Sequence, residues 1–355
     1  MNLNAQNAKV YAQKYSIFLV LILLFIICSF ISPYFLSSAN LINVSKQLAV
    51  GILIAYGEMI LIVNGHLDLS VGAVLALAGC VACNVFKATQ SIILAVLVSI
   101  VVAVVCNLIS ALFVAQFNVP AFIATLGMMQ IARGAALYYT GGANILQLGD
   151  FALIGQGTIG IVPICVIIVA IITVILWYIV NHTRYGRAIY AIGGSRSAAE
   201  ASGINAKKKI VMSFIINGIL VGFAACIFMA RNNAGLPNGA LGYEMTGLTA
   251  AIVGGTSFSG GIGTISGTIA GAFIIGFLEN VMNLLGVNSF IQNIIEGAIV
   301  ILAVTFDVVS KSKKQTKVIM AKTDDEDNEK GEEAKGEDED NEKGEEAKGE
   351  EEKRE

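Results

Sequence analysis

The sequence predicts an all-α, polytopic membrane protein of about ten transmembrane helices, with broken helices near the centre and a disordered acidic C-terminal tail. Three observations carry this. Of 355 residues, 55% are hydrophobic and only 14% charged. Residues 88–132, 151–180 and 245–278 contain no charge at all. The charges that exist are segregated: residues 1–322 hold 17 Lys/Arg against 8 Asp/Glu, and residues 323–355 hold 6 against 18, so the net −3 describes neither part. An apolar run of about 18 residues or more crosses roughly 30 Å of hydrocarbon as a helix. A soluble core helix would carry a polar stripe every 3.6 residues, and these runs carry none.

Ten spans follow, at residues 16–33, 47–64, 70–86, 91–115, 119–140, 160–180, 210–230, 246–258, 263–284 and 289–306. The first is preceded by Lys9 and Lys14 and followed by no small-x-small cleavage site, so it is expected to serve as its own signal-anchor. The eighth is short and Gly-rich. Basic residues beside the spans set orientation, because cytoplasmic loops carry the excess of Lys and Arg. They cluster before the first span, in residues 181–209 (Arg184, Arg187, Arg196, Lys207, Lys208, Lys209), and after the last (Lys311, Lys313, Lys314, Lys317). Even numbers of spans separate these clusters, so both termini and the 181–209 loop are expected to be cytoplasmic and Asp150 external. No external loop is long enough for a binding domain, so capture of a substrate outside falls to another protein.

Two interruptions look alike: IVNGHLDLSVG at residues 62–72 and IVGGTSFSGG at 252–261. Short Gly-interrupted segments in corresponding halves point to a transporter's central site, while glycines also serve tight turns and close helix packing. Both explanations stand at this point, as does an internal duplication. The tail repeats DEDNEKGEEAKGE at 325–337 and again at 338–350. It has almost nothing apolar to bury and is expected to be disordered, with no role or a modulatory one, an acidic interaction tail being the alternative.

Chemistry-bearing constellations are few. GxxxxGK[ST] is absent, so the chain carries no P-loop. The two histidines, His66 and His182, build no Ser-His-Asp set. Cys28, Cys80, Cys83, Cys106, Cys165 and Cys226 all lie in apolar runs and read as small packing residues; the Cys80/Cys83 pair lacks the second pair a zinc site needs. Charges at membrane depth are costly and face a bundle interior or a cavity. Asp68 either caps the half-helix after it or touches a substrate. Glu58 lines the same cavity or pairs with another helix. Arg133 either snorkels to an interface or faces a lumen. Glu279, Asn280, Asn283, Gln292, Asn293 and Glu296 make the last two spans polar on one side, and Asp307 marks a boundary. A route for a neutral, hydroxyl-rich solute needs amides and hydroxyls; Asn64, Ser70, Thr125, Gln130, Tyr243 and Thr246, with Asp68, are its candidates.

The cytoplasmic stretch is more telling. Gly193 and Gly194 end one segment. Ser195 is placed to N-cap a short helix over Ser197, Ala198, Ala199, Glu200, Ala201 and Ser202, and Gly203 to stop it. A short exposed helix with small side chains suits docking into a partner's cleft.

LIVNGHLDLSVG (61–72), PAFIATLGMM (120–129), HTRYGRAIYAIGGSRSAAEASGIN (182–205) and GYEMTGLTAAIVGGTSFSGGIGTISGTIAGA (242–272) together resemble the ribose/xylose/galactose-type permeases of bacterial ABC importers, from about residue 15 to 310. The resemblance implies a cytoplasmic N-terminus (1–15), a permease domain (16–310) and a cytoplasmic tail (311–355). It implies a monosaccharide as cargo, and a homodimer or paired permease in the plasma membrane among lipid. It also implies a separate ATPase that hydrolyses ATP, an external sugar-binding protein, no cofactor on this chain and no nucleic acid. Gly193 to Gly203 would be the coupling element on the ATPase, and the broken segments would flank the path. The sequence departs at His66, where an aliphatic residue is usual, and in the tail. The sugar stays open between a ribose-like pentose and a galactose-type hexose, and an ion-coupled secondary carrier is the rival.

Overall fold

The computed structural model describes residues 3–309, with side chains from residue 16 onward. The acidic repeat and the basic run after residue 310 lie outside the described residues, as do the side chains of Lys9 and Lys14. The chain divides into two units, Met1–Val304 and Thr305–Glu355, and all sites below belong to the first.

The fold is helical: α1 (Leu3–Ile31), α2 (Ser38–Val63), α3 (Val71–Thr89), α4 (Ile92–Phe117), α5 (Ala121–Thr140), α6 (Leu153–Gln156), α7 (Ile164–His182), α8 (Arg184–Gly194), α9 (Arg196–Ala201), α10 (Ala206–Asn232), α11 (Tyr243–Val253), α12 (Ile265–Leu284) and α13 (Ser289–Val309). A helix stands at each expected span, but among the described residues seven rather than ten are long and apolar enough to cross a membrane: α2, α3, α4, α7, α10, α12 and α13. The apolar part of α1, Ser16–Ile31, is shorter. Thr125, Gln130 and Arg133 dilute α5, and α11 has only 11 residues. The expected eighth span is thus a half-length helix displaced toward the N-terminus.

Burial ranks the helices. The apolar window of α2 is 83% buried, against 22% for α7 and 0% for α13, so α2 is the axis and α7 and α13 are periphery. Hydrophobicity does not drive helices together inside lipid; close backbone approach does, and it requires small residues. Gly218 and Gly222 of α10 lie on α4, where an added Cβ would come within 2.8 Å of Val104 Cα and 2.6 Å of Ile100 Cα. Ser99 Oγ closes that contact by donating to Gly222 O at 2.9 Å. Gly267 and Gly271 of α12 seat α11 the same way, against Gly254 and Ala250.

The two interruptions end in the same geometry. At the first, Gly65 N donates to Ile62 O (2.9 Å) and His66 N to Leu61 O (2.9 Å); at the second, Gly255 N donates to Ile252 O (2.8 Å) and Thr256 N to Ala251 O (3.0 Å). Gly65 and Gly255 have φ of +82° and +88°. Each is a left-handed helix stop in which two amides satisfy the last free carbonyls. The likeness read from sequence is therefore a likeness of backbone.

Outside the helices, β1 (Ile145–Leu146) pairs antiparallel with β4 (Ala234–Gly235), and β2 (Thr158–Ile159) with β3 (Val162–Pro163). A 3-10 turn, Gly149–Ala152, carries Asp150. The sequence pattern did not announce these pieces; the first pair ties the loop after α5 to the end of α10, and the second closes a short hairpin before α7.

Candidate functional site

The first broken segment closes around a buried polar network. Beyond Gly65 the chain turns back along α2, bringing Asp68 N to Glu58 Oε2 at 3.4 Å. Asp68 Oδ1 accepts from Ser70 N (2.8 Å) and Ser70 Oγ (2.5 Å), and Asp68 Oδ2 accepts from Asn217 Nδ2 (2.8 Å). Asn217 Nδ2 also donates to Asn107 Oδ1 at 3.0 Å. Ser70, the N-cap residue of α3, makes no side-chain cap bond. Asp68 does not cap the helix directly; it holds Ser70, the residue on which the helix starts. A second branch runs from Asn64 Nδ2 to Ser213 Oγ (3.1 Å), which also meets Tyr185 Oη (2.7 Å). Glu58, Asn64, Asp68, Ser70, Asn107, Ser213 and Asn217 are all buried. Buried polar groups at membrane depth persist where they bond one another or border a cavity. Asn107 and Asn217 escaped the sequence reading, although a lone Asn inside an apolar run is itself the signal.

The cytoplasmic element takes the expected form with adjusted edges. Ser195 Oγ accepts from Ala198 N (3.4 Å), α9 covers Arg196–Ala201, Ser202 is its last half-turn, and Gly203 follows at φ +83°. Gly203 N donates to Glu200 O and Ile204 N to Ala199 O, a third left-handed stop. Ala199 faces inward onto Ile192, Ala206 and Ile204, while Ala198, Glu200 and Ser202 are exposed. Glu200 pairs with Arg196 at 3.0 Å.

The preceding helix, α8, was not foreseen beyond its terminal glycines. It buries Tyr185, Gly186, Ala188, Ile189 and Ile192. Its C-terminal end sits on both broken segments at once. A Cβ on Gly193 would lie 1.8 Å from Val63 O and 2.5 Å from Gly261 N. Gly261 N itself donates to Val63 O at 2.9 Å, and Tyr190 Oη donates to Gly263 O at 2.7 Å. Only glycine at 193 permits this three-way backbone junction.

The structure does not gather the remaining path candidates at one centre. Thr125 is fully buried and its hydroxyl folds back onto Ala121 O at 2.8 Å, so it is internal to α5. Gln130 lies on the exposed side of α5. Arg133 neither snorkels nor faces open space: its guanidinium donates to Pro237 O (2.8 Å) and Gly239 O (2.9 Å), clamping the irregular segment before α11. Tyr243 and Thr246 border a cavity of about 570 Å³ between α11, α12 and α13, with Glu279 and Glu296 in its wall. Thr246 Oγ1 donates to Glu296 Oε1 at 2.6 Å, and Gln47 Nε2 to Glu279 Oε2 at 2.7 Å. All six cysteines are buried and free, and among the described residues no His/Cys/Asp/Glu group is placed to hold a metal ion.

Residues 40–304 match the family described as branched-chain amino acid transport system / permease component. The chain is 38% identical to the ribose import permease protein of Haemophilus influenzae over 302 residues, 84% of this chain and 94% of the relative. It is 38% identical to the ribose import permease protein of Bacillus subtilis (83% and 92%). It is 34% identical to the galactose/methyl galactoside import permease protein of Escherichia coli K12 (88% and 99%). No solved structure matches. The match runs through both broken segments, α8 and α9, and the chain belongs to this family of transport-system permease components.

Proposed function

We propose that this chain is the membrane-spanning permease subunit of a bacterial ABC importer for a simple sugar, energised by a separate ATPase. The observation that carries it is near end-to-end similarity to relatives named as ribose and galactoside import permeases. An ion-coupled carrier draws no support from those relatives. In this reading ten helices traverse the plasma membrane, both termini and residues 181–209 face the cytoplasm, and two copies pair around the path. The sugar arrives on an external binding protein.

The geometry of α8 and α9 supports a mechanism. α9 presents Ala198, Glu200 and Ser202 outward as the docking face for the ATPase. Ser195 joins α9 directly to α8, and α8 ends on Val63 and Gly261. ATP-driven movement of α9 therefore reaches both broken segments through one rigid helix, by packing rather than by a long wire of side chains. The Tyr185–Ser213–Asn64 bonds add a second tie to the first segment.

Reconstitution of the chain in vesicles, with its ATPase and binding protein, tests the assignment. Uptake of labelled ribose or galactose is expected to need both partners and ATP, and to be indifferent to a protonophore. Full-rate uptake without the ATPase, or collapse with the protonophore, would reverse the assignment.

A further inference from the structure

In the topology proposed above, the N-terminal part of α2 and the C-terminal parts of α10 and α12 lie on the external side, together with α6. They surround a cavity of about 530 Å³ in which Val44 is the one apolar residue beside two cations, Lys46 and Arg231, and four amides. Lys46 Nζ donates to Gln156 O at 2.7 Å, and Gln156 Nε2 donates to Arg231 O at 3.0 Å. The short α6 thus straps α2 to α10. A Cβ on Gly155 would lie 2.3 Å from Arg231 N, so α6 is seated on α10 by close contact and the mouth of the cavity is set in advance. No carboxylate lines the cavity, and among the described residues neither Lys46 nor Arg231 makes an ion pair. Arg231 Nη1 is buried without a hydrogen-bond partner. Glu279, which Gln47 bonds at 2.7 Å, is not within ion-pair reach of either cation. A partly buried charge left unpaired is costly, so the arrangement calls for an anion from outside the chain.

We propose that this cavity is the socket for an acidic side chain of the external sugar-binding protein, whose carboxylate pairs with Arg231 and Lys46. The proposal rests on the importer assignment and deepens it by naming the surface that this partner reads. Charge and lining select the occupant. A neutral sugar would leave both cations unpaired. A phospholipid headgroup would bring acyl chains, and Val44 alone offers them an apolar wall. A protein carboxylate brings no such chains, and it forms charge-assisted hydrogen bonds with both cations.

The test uses the full chain in vesicles with its ATPase and binding protein. It reads ATP hydrolysis against the concentration of binding protein loaded with ribose or galactose. Lys46→Gln and Arg231→Gln are each expected to raise the half-maximal concentration about tenfold, the loss of one hydrogen bond to a charged group, while hydrolysis at saturation reaches the wild-type plateau. Arg231→Lys should lose less than Arg231→Gln. Added salt should weaken the wild type more than either glutamine variant, because it screens the charge pair. The native cysteines are buried and Asn43 is exposed at the cavity, so Asn43→Cys gives one accessible thiol there. A membrane-impermeant methanethiosulfonate reagent is expected to label it, and loaded binding protein to protect it. Unchanged half-maximal concentrations in both glutamine variants, a lowered plateau at an unchanged half-maximal concentration, or labelling that the binding protein does not slow would overturn the socket. Protection by inorganic phosphate or by anionic lipid in the vesicles, with none from the binding protein, would give the cavity to a free anion or a headgroup instead. In each of these cases a wild type that the binding protein stimulates leaves the importer assignment standing. A wild type that it does not stimulate takes both down. Should a glutamine variant not reach the membrane, the labelling result decides.

Discussion

At the scale of single residues, Asn217 is the member on which the interior turns. It is fully buried, joins Asp68 to Asn107, and is separated from them by 149 and 110 positions in sequence. Gly57 makes room for it: a Cβ there would fall 1.9 Å from Asn217 Oδ1. Gly57→Ala must therefore push the amide off at least one partner. Leaving a buried acceptor such as Asp68 short of a donor costs about 1–3 kcal/mol. The variant is expected to melt about 2–8 °C lower in detergent, read by thermal unfolding of the purified protein. An unchanged melting point would mean that the network contributes little. The sequence made Asp68 legible, because a carboxylate inside an apolar chain is conspicuous. Its partners were not, because an amide's value depends on what the fold brings to it from far along the chain. Arg133 teaches the same thing: both sequence readings assumed an exposed guanidinium, whereas its two acceptors are backbone carbonyls of an irregular segment, which no side-chain pattern announces.

At the scale of elements, helix stops and small-residue contacts were the most readable features. Gly65, Gly203 and Gly255 each take a positive φ just past a helix end, a conformation that costs other L-residues about 1–2 kcal/mol; this is why glycine in those places signals a boundary. What glycine does not reveal is whether it serves a turn or a contact. Gly193 reads like a stop yet acts as a contact, since its hydrogen faces Val63 O and Gly261 N. Gly193→Ala is expected to wedge α8 away from both broken segments while leaving the exposed face of α9 intact. Sugar uptake per ATP hydrolysed should then fall by a factor of about 10, the upper part of the range for residues that transmit coupling, with ATPase docking retained. The check measures uptake and hydrolysis in the same vesicles. Parallel loss of both activities, or of neither, would show that α8 does not carry the motion.

At the scale of the whole molecule, each exposed helix face must meet either lipid or another chain. Over their central turns the outer sides of α4 and α7 are apolar, with residues such as Leu97, Val101, Ile171 and Ile175 exposed and the exposed polar residues Gln116, Asn181 and His182 confined to the helix ends, so their middles need nothing but lipid. The exposed side of α5 is different. Gly127, Gln130 and Gly134 lie along it, and nothing within 4 Å would obstruct a Cβ on either glycine. Small residues flanking an amide form the surface on which membrane helices approach closely and bond across. A Gln facing hydrocarbon instead would forfeit its hydrogen bonds at a cost of a few kcal/mol. If two permease chains pair as proposed, α5 is therefore the face they should share. With native thiols buried, a Gln130→Cys variant oxidised in the membrane is expected to run as a disulfide-linked dimer on non-reducing gels, and an Ile175→Cys variant on α7 to stay monomeric. Cross-linking at Ile175 but not at Gln130 would move the interface to the other side of the bundle, and equal cross-linking at both would reduce it to chance collision.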